Sequence, residues 1–209
     1  EIMPSLVGSE MCIRDSLIMW ATEQAPLVMG ILVSVIVGVA LTLPISSAAI
    51  CAALGLTGLA GGAAVAGCCA QMIGFAVMSY KENGVGGLVS QGLGTSMLQM
   101  GNIVKNPRIW IAPTLASAIT GPLATCVFHF EMNGAAVSSG MGTCGLVGQI
   151  GVYTGWVSDI AAGTKAAITP VDWAAMVLLC FVLPAVLSVI FCEIERKLGW
   201  IKEGDLKLN

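Results

Sequence analysis

From Gln24 to Tyr80 the chain carries no charged residue across 57 consecutive positions. A helix needs roughly 20 apolar residues to cross a bilayer, so this run is long enough for two crossings. It cannot supply a water-facing surface. The rest of the chain agrees: 56% of its 209 residues are hydrophobic and only 10% are charged, where a soluble domain carries roughly 25% charge. A net charge of -3 leaves no basic footprint for nucleic acid. Lipid must therefore be part of the solvent. The expected fold class is all-α, a polytopic membrane protein with about four transmembrane helices and two glycine-rich re-entrant segments.

The crossings are read at residues 27–43, 62–80, 109–130 and 173–192. Pro44 ends or kinks the first, because proline removes a backbone donor and clashes with the preceding turn. Gly58, Gly61 and Gly62 read as the turn before the second. Residues 84–100 and 140–156 are apolar but dense in glycine and uncharged polar side chains. That composition suits segments that dip into the membrane and return. If each dips from one side, Lys81, Lys105, Arg108, Arg196 and Lys197 share one face. Glu131, Asp159, Lys165 and Asp172 share the other. The basic face is expected to be cytoplasmic, which places the C-terminus inside. Tyr80, Trp110 and Trp173 fall at span ends, where interfacial anchors sit. Residues 17–192 form the membrane domain in this reading, and 193–209 a polar cytoplasmic tail.

Residues 1–16 stand apart: four charges, then an abrupt change of character. The run Leu6-Val-Gly-Ser-Glu-Met-Cys-Ile-Arg-Asp-Ser16 resembles the translation of a transposase adapter used in DNA sequencing. These residues are set aside from fold reasoning as an artefact. Native sequence is expected from about Leu17, with part of the protein missing upstream of it.

Eight cysteines are present, with no CxxC pair at zinc spacing. Cys51, Cys68, Cys69, Cys126, Cys144 and Cys180 lie in apolar stretches, as small buried hydrophobes do. No metal site, cofactor loop or catalytic triad is expected. The polar residues of the two glycine-rich segments are more informative, because an unpaired amide in hydrocarbon costs several kcal/mol. The first segment offers Gln91, Thr95, Ser96, Gln99 and Asn102, and the second Gln149. Glu82 and Asn83 open the first segment at a membrane edge. These eight are the candidate substrate-binding residues. Uncharged donors and acceptors suit a neutral, hydroxyl-rich ligand such as a sugar better than an ion. Glycine, serine and threonine also serve ordinary helix packing in membranes, and His129 reads as an interfacial residue.

Several runs resemble the enzyme IIC sugar permeases of bacterial phosphotransferase systems, in a branch apart from the glucose type. They are Val37-Gly-Val-Ala-Leu-Thr-Leu-Pro-Ile-Ser-Ser-Ala-Ala-Ile50, Gly67-Cys-Cys-Ala-Gln-Met-Ile-Gly-Phe-Ala76 and Glu82-Asn83. Further runs are Gln91-Gly-Leu-Gly-Thr-Ser-Met-Leu-Gln99, Asn102-Ile-Val-Lys-Asn-Pro-Arg-Ile-Trp110 and Gly140-Met-Gly-Thr-Cys-Gly-Leu-Val-Gly-Gln149. The resemblance implies a permease in the bacterial cytoplasmic membrane that binds a sugar and presents it to a IIB protein on a separate chain, itself served by IIA. It implies a homodimer, and it implies that a carboxylate and polar residues of the re-entrant hairpins hold the sugar; Glu82 is the carboxylate in position for that part. An uncoupled transporter or channel of the same fold, or a non-transporting membrane subunit, remains open on sequence alone.

Overall fold

The computed structural model describes residues 24–208. The reading of residues 1–16, and the start of the membrane domain, lie outside the described residues. Nine α-helical elements organise this part: α1 Pro26–Thr42, α2 Ser47–Ala53, α3 Gly58–Met78, α4 Tyr80–Val89, α5 Met100–Lys105, α6 Pro107–Val127, α7 Ala136–Ser139, α8 Val147–Ala161 and α9 Pro170–Lys197. The four expected apolar helices are α1, α3, α6 and α9. Three of them, α3, α6 and α9, are long and apolar enough to cross a membrane.

Helix α3 is the axis on which the others pack, with 89% of its apolar span buried. Its small residues permit that. Gly67 lies against the Ser34 backbone of α1, and Gly74 against Ser188 of α9 and Pro113 of α6. Without a hydrophobic driving force between helices in lipid, such close backbone approach is the main source of packing energy. In α9 the buried share is only 39%, so a broad apolar face of that helix, including Val186 and Ile190, points outward.

One expectation is corrected in part. Gly61 and Gly62 do not form a turn; they lie in the first turns of α3. The turn runs from Gly55, whose φ is 55°, to Gly58, whose φ is 58°. A Cβ on Gly62 would collide with the Phe130 carbonyl oxygen. Its glycine is demanded by that contact and not by chain reversal. Trp110 is half-buried near the start of α6, and its Nε1–H donates to Gln71 Oε1 at 3.2 Å. Among the cysteines, Cys51, Cys68, Cys69 and Cys180 are buried as expected, whereas Cys126 is exposed and Cys144 half-buried.

Helix α1 takes a path that composition could not reveal. At 17 residues it is about 26 Å long, short of the roughly 30 Å hydrocarbon core. Gly30 packs on Gly121 and Ser34 on Ser117, while Gly38 packs on Gly67. So α1 runs antiparallel to α6 and parallel to α3. After Pro44 the chain returns through α2 to the end of the bundle where α3 begins.

Candidate solute site between two inserted hairpins

Residues 80–106 form the first inserted hairpin. The descending helix α4 is bent at Gly84, where φ is 61° and ψ -155°. It closes in a wide π turn, Ser90–Gly94, and breaks at extended Thr95. Thr95 Oγ1 accepts from the Met97 N–H at 3.2 Å, capping the turn that leads back through α5. Both ends of the hairpin hold the same short stretch of chain. Asn83 Nδ2 donates to the Leu206 carbonyl at 2.8 Å, and Asn102 Nδ2 to the Lys207 carbonyl at 3.0 Å. Entry and exit are therefore at one end.

Residues 133–161 form the second. Asn133 Nδ2 bonds Asp159 Oδ2 at 2.9 Å across its open end. Gly142 and Gly145 carry the reversal at φ 53° and 54°, values costly for side chains with a Cβ. This hairpin starts from the opposite end of the bundle. Gly58, at the start of α3, exchanges both backbone hydrogen bonds with Met132, each 3.0 Å; the first hairpin leaves from the far end of α3 at Tyr80.

The tips meet inside. Thr143 Oγ1 donates to the Gly92 carbonyl at 2.6 Å, and Gly142 rests on Cys68, the midpoint of α3. Beside this junction lies a buried polar network missed by sequence reasoning. Gln71 Oε1 accepts from Thr42 Oγ1 at 3.4 Å as well as from Trp110, and its Nε2 donates to Thr114 Oγ1 at 3.3 Å. Thr42 is also 3.0 Å from Ser96 Oγ. The end of α1, the middle of α3 and α6 are thus tied by one amide, and the first tip joins them through Thr42. The available signal was Gln71 itself, an amide set in a charge-free run where an unpaired polar group is costly.

The eight predicted residues fall into two groups. Glu82, Asn83, Gln99 and Asn102 come together at the end of the bundle that carries the tail. Glu82 accepts from Arg196 Nη2 at 3.2 Å and from the Leu206 N–H at 3.0 Å. Gln99 Nε2 donates to the Leu206 carbonyl at 3.1 Å, and Gln99 Oε1 accepts from Asn102 Nδ2 at 2.7 Å. Asn83 Oδ1 accepts the Leu208 N–H at 2.8 Å. Gln91, Thr95, Ser96 and Gln149 lie nearer the tips but not in one cluster. Gln91 Nε2 donates to Ser79 Oγ at 2.7 Å, and Gln149 Nε2 to Cys69 Sγ at 3.3 Å. The Oε1 of each is buried without a hydrogen-bond partner. Native proteins rarely leave such acceptors unused, so both are candidates for contact with a solute hydroxyl.

The predicted basic face assembles at the tail end. Lys81 pairs with Glu193 at 2.8 Å, Arg108 lies 5.5 Å over the Trp200 ring, and Arg196 holds Glu82. Glu131, Asp159, Lys165 and Asp172 gather at the other end around a shared cavity. No groups of His, Cys, Asp and Glu that could hold a metal ion occur among the described residues.

A family model described as "Phosphotransferase system, EIIC" matches residues 4–208. No curated protein and no solved structure matches the chain.

Proposed function

The chain belongs to the phosphotransferase-system EIIC family, and from that premise we propose that its sugar moves through the junction of the two hairpins. The protein is a multi-pass membrane protein, the sugar permease component of a phosphotransferase system, and IIB and IIA proteins are its partners. The single observation that carries the route is the 2.6 Å bond from Thr143 to Gly92. Two hairpins inserted from opposite ends close the path where they touch, at mid-height of α3. Broken helices meeting near mid-membrane are the common setting of transporter sites.

In this reading Gln91, Thr95, Ser96 and Gln149 receive hydroxyls near the tips, and Glu82, Asn83, Gln99 and Asn102 hold the sugar where IIB reaches it. The basic end faces the cytoplasm of a bacterium, by the positive-inside rule. Phosphorylation there adds close to two negative charges, and an anion does not return through an uncharged, tightly packed junction. The outward apolar face of α9 takes lipid or a second copy in a homodimer.

The test is reconstitution of the full chain in vesicles. Sugar phosphorylation should require phosphorylated IIB and this chain together, and fail with either alone. Uptake without any phosphoryl donor would overturn coupling and favour an uncoupled carrier of the same fold.

A further inference from the structure

At the open end of the second hairpin lies a cavity of about 400 Å³, within the range of roughly 300–1,000 Å³ typical of small-molecule sites. It is far from the tail and from Glu82. Its wall combines three features. Acceptors come from Glu131, Asp159 and Asp172, a donor from Lys165, and an apolar side from Val171, with the buried Trp156 behind Lys165. Trp156 is held edge-on by Trp173 at 5.7 Å between centroids. Lys165 bridges the cavity, with Nζ 2.8 Å from Asp172 and 4.9 Å over the Trp156 ring. On the rim, His129 holds φ at 43°, a backbone strain that costs a non-glycine residue of order 1 kcal/mol or more and concentrates at functional sites.

This mixture discriminates among ligand classes. Three carboxylates repel an anion. A lysine in the wall opposes a metal cation, whose sites converge oxygen ligands. A neutral polyol fits it: hydroxyls donate to the carboxylates and accept from Lys165, and the C–H face of the ring lies on Val171. The position adds a second argument. Asn133 bonds both Glu131 Oε2, at 3.2 Å, and Asp159 Oδ2, so the amide that clamps the hairpin's base also lines the cavity. The arms of that hairpin lead to the tip contact at Thr143.

We propose that this cavity is an outer loading site for a single neutral sugar, which the permease captures before the hairpin tips part. The proposal rests on the sugar-permease reading and adds a second, external site to it.

The experiment uses the full chain in right-side-out vesicles containing phosphorylated IIB, with radiolabelled glucose, mannose, galactose, fructose and N-acetylglucosamine outside. For whichever sugar is taken up, Glu131→Gln and Lys165→Met should each raise KM about tenfold with kcat unchanged, the size of one lost charged hydrogen bond. Neither threatens the fold, because Glu131 is exposed and the Lys165–Asp172 pair is a partly exposed ion pair of small worth. Separately, Thr164→Cys, measured against the parent chain, should react with a membrane-impermeant maleimide and be protected by that sugar. An unchanged KM in both variants, or a Thr164→Cys that is unlabelled or unprotected, overturns the loading site while leaving the permease reading intact. A parent chain that takes up and phosphorylates none of the sugars overturns both.

Discussion

Leu206 donates its backbone N–H to Glu82 Oε2 at 3.0 Å, and in doing so occupies the carboxylate proposed to hold the sugar. The neighbouring groups are used in the same way. Asn83, Gln99 and Asn102 all bond backbone atoms of residues 206–208. The Leu206 side chain is fully buried, as is nearly all of Ile201, in a cluster with Phe75, Ile103 and Ile109. The tail's peptide groups therefore satisfy the donors and acceptors that a polyol would otherwise meet.

If Glu82 and Asn83 bind sugar, the tail must leave them first. Cysteines replacing Asn83 and Leu208 join positions whose polar atoms are now 2.8 Å apart. In the oxidised pair, IIB-dependent sugar phosphorylation should fall at least about tenfold, the value of roughly 1.4 kcal/mol of lost binding. Reduction should restore it. The check is the same assay with and without reductant; equal rates would mean that these residues anchor the tail and do not touch substrate.

The pair Glu82–Arg196 separates structural from functional roles. Their side chains are 11% and 16% exposed, so removing one partner leaves the other poorly solvated. Glu82→Gln should cost about 2 kcal/mol of stability and lower the melting midpoint in detergent. Combining it with Arg196→Met removes the orphaned charge and should recover most of that midpoint. Sugar binding should stay lost in the double variant. Binding that returns with stability would show that Glu82 matters only as a counter-ion.

How much of this was legible in sequence follows from what each feature is made of. Charge-free runs gave α1, α3, α6 and α9, because length and hydropathy alone decide whether a helix tolerates lipid. Glycine with uncharged polar residues located both hairpins, since broken backbone in a membrane needs buried partners. Gly61 and Gly62 read as turn residues beside Gly58, because a glycine required by close packing and one required by a positive φ are the same letter. The parallel path of α1 depends on which ridges meet, Gly38 on Gly67 among them, and no composition encodes that. The tail's hold on Glu82 uses backbone N–H and C=O groups, which every residue carries, so it left no signature at all.

The same glycines give a contrast in stability. A Cβ at Gly67 would collide with the Ser34 carbonyl oxygen, and one at Gly62 with that of Phe130. Neither neighbour is a flexible side chain that could swing away. Gly62→Ala and Gly67→Ala should each destabilise by about 3 kcal/mol through forced backbone separation. Gly101, within α5, has nothing within 4 Å of a built Cβ. Gly101→Ala should instead gain about 0.5–1 kcal/mol from helix propensity. Thermal midpoints of the three variants in one detergent decide the matter, and a uniform loss would contradict the packing described for α3.

Glu195 supplies the sharpest test of the packing at the tail end. It is 4% exposed on the buried face of α9 that also carries Ser188 and Cys192, and neither carboxylate oxygen has a hydrogen-bond partner. An unsatisfied buried carboxylate is costly, by several kcal/mol when it must carry charge. Methionine has similar length and no polar demand, so Glu195→Met should raise stability by about 1–3 kcal/mol. Unfolding midpoints in detergent should rise by several degrees, on the order of those expected for that gain. Buried charges persist in membrane proteins mainly where they serve transport. The stabilised variant should therefore lose IIB-dependent phosphorylation even as it melts later. A variant that is both more stable and fully active would reduce Glu195 to a packing defect, and one that is less stable would mean that its carboxylate is satisfied.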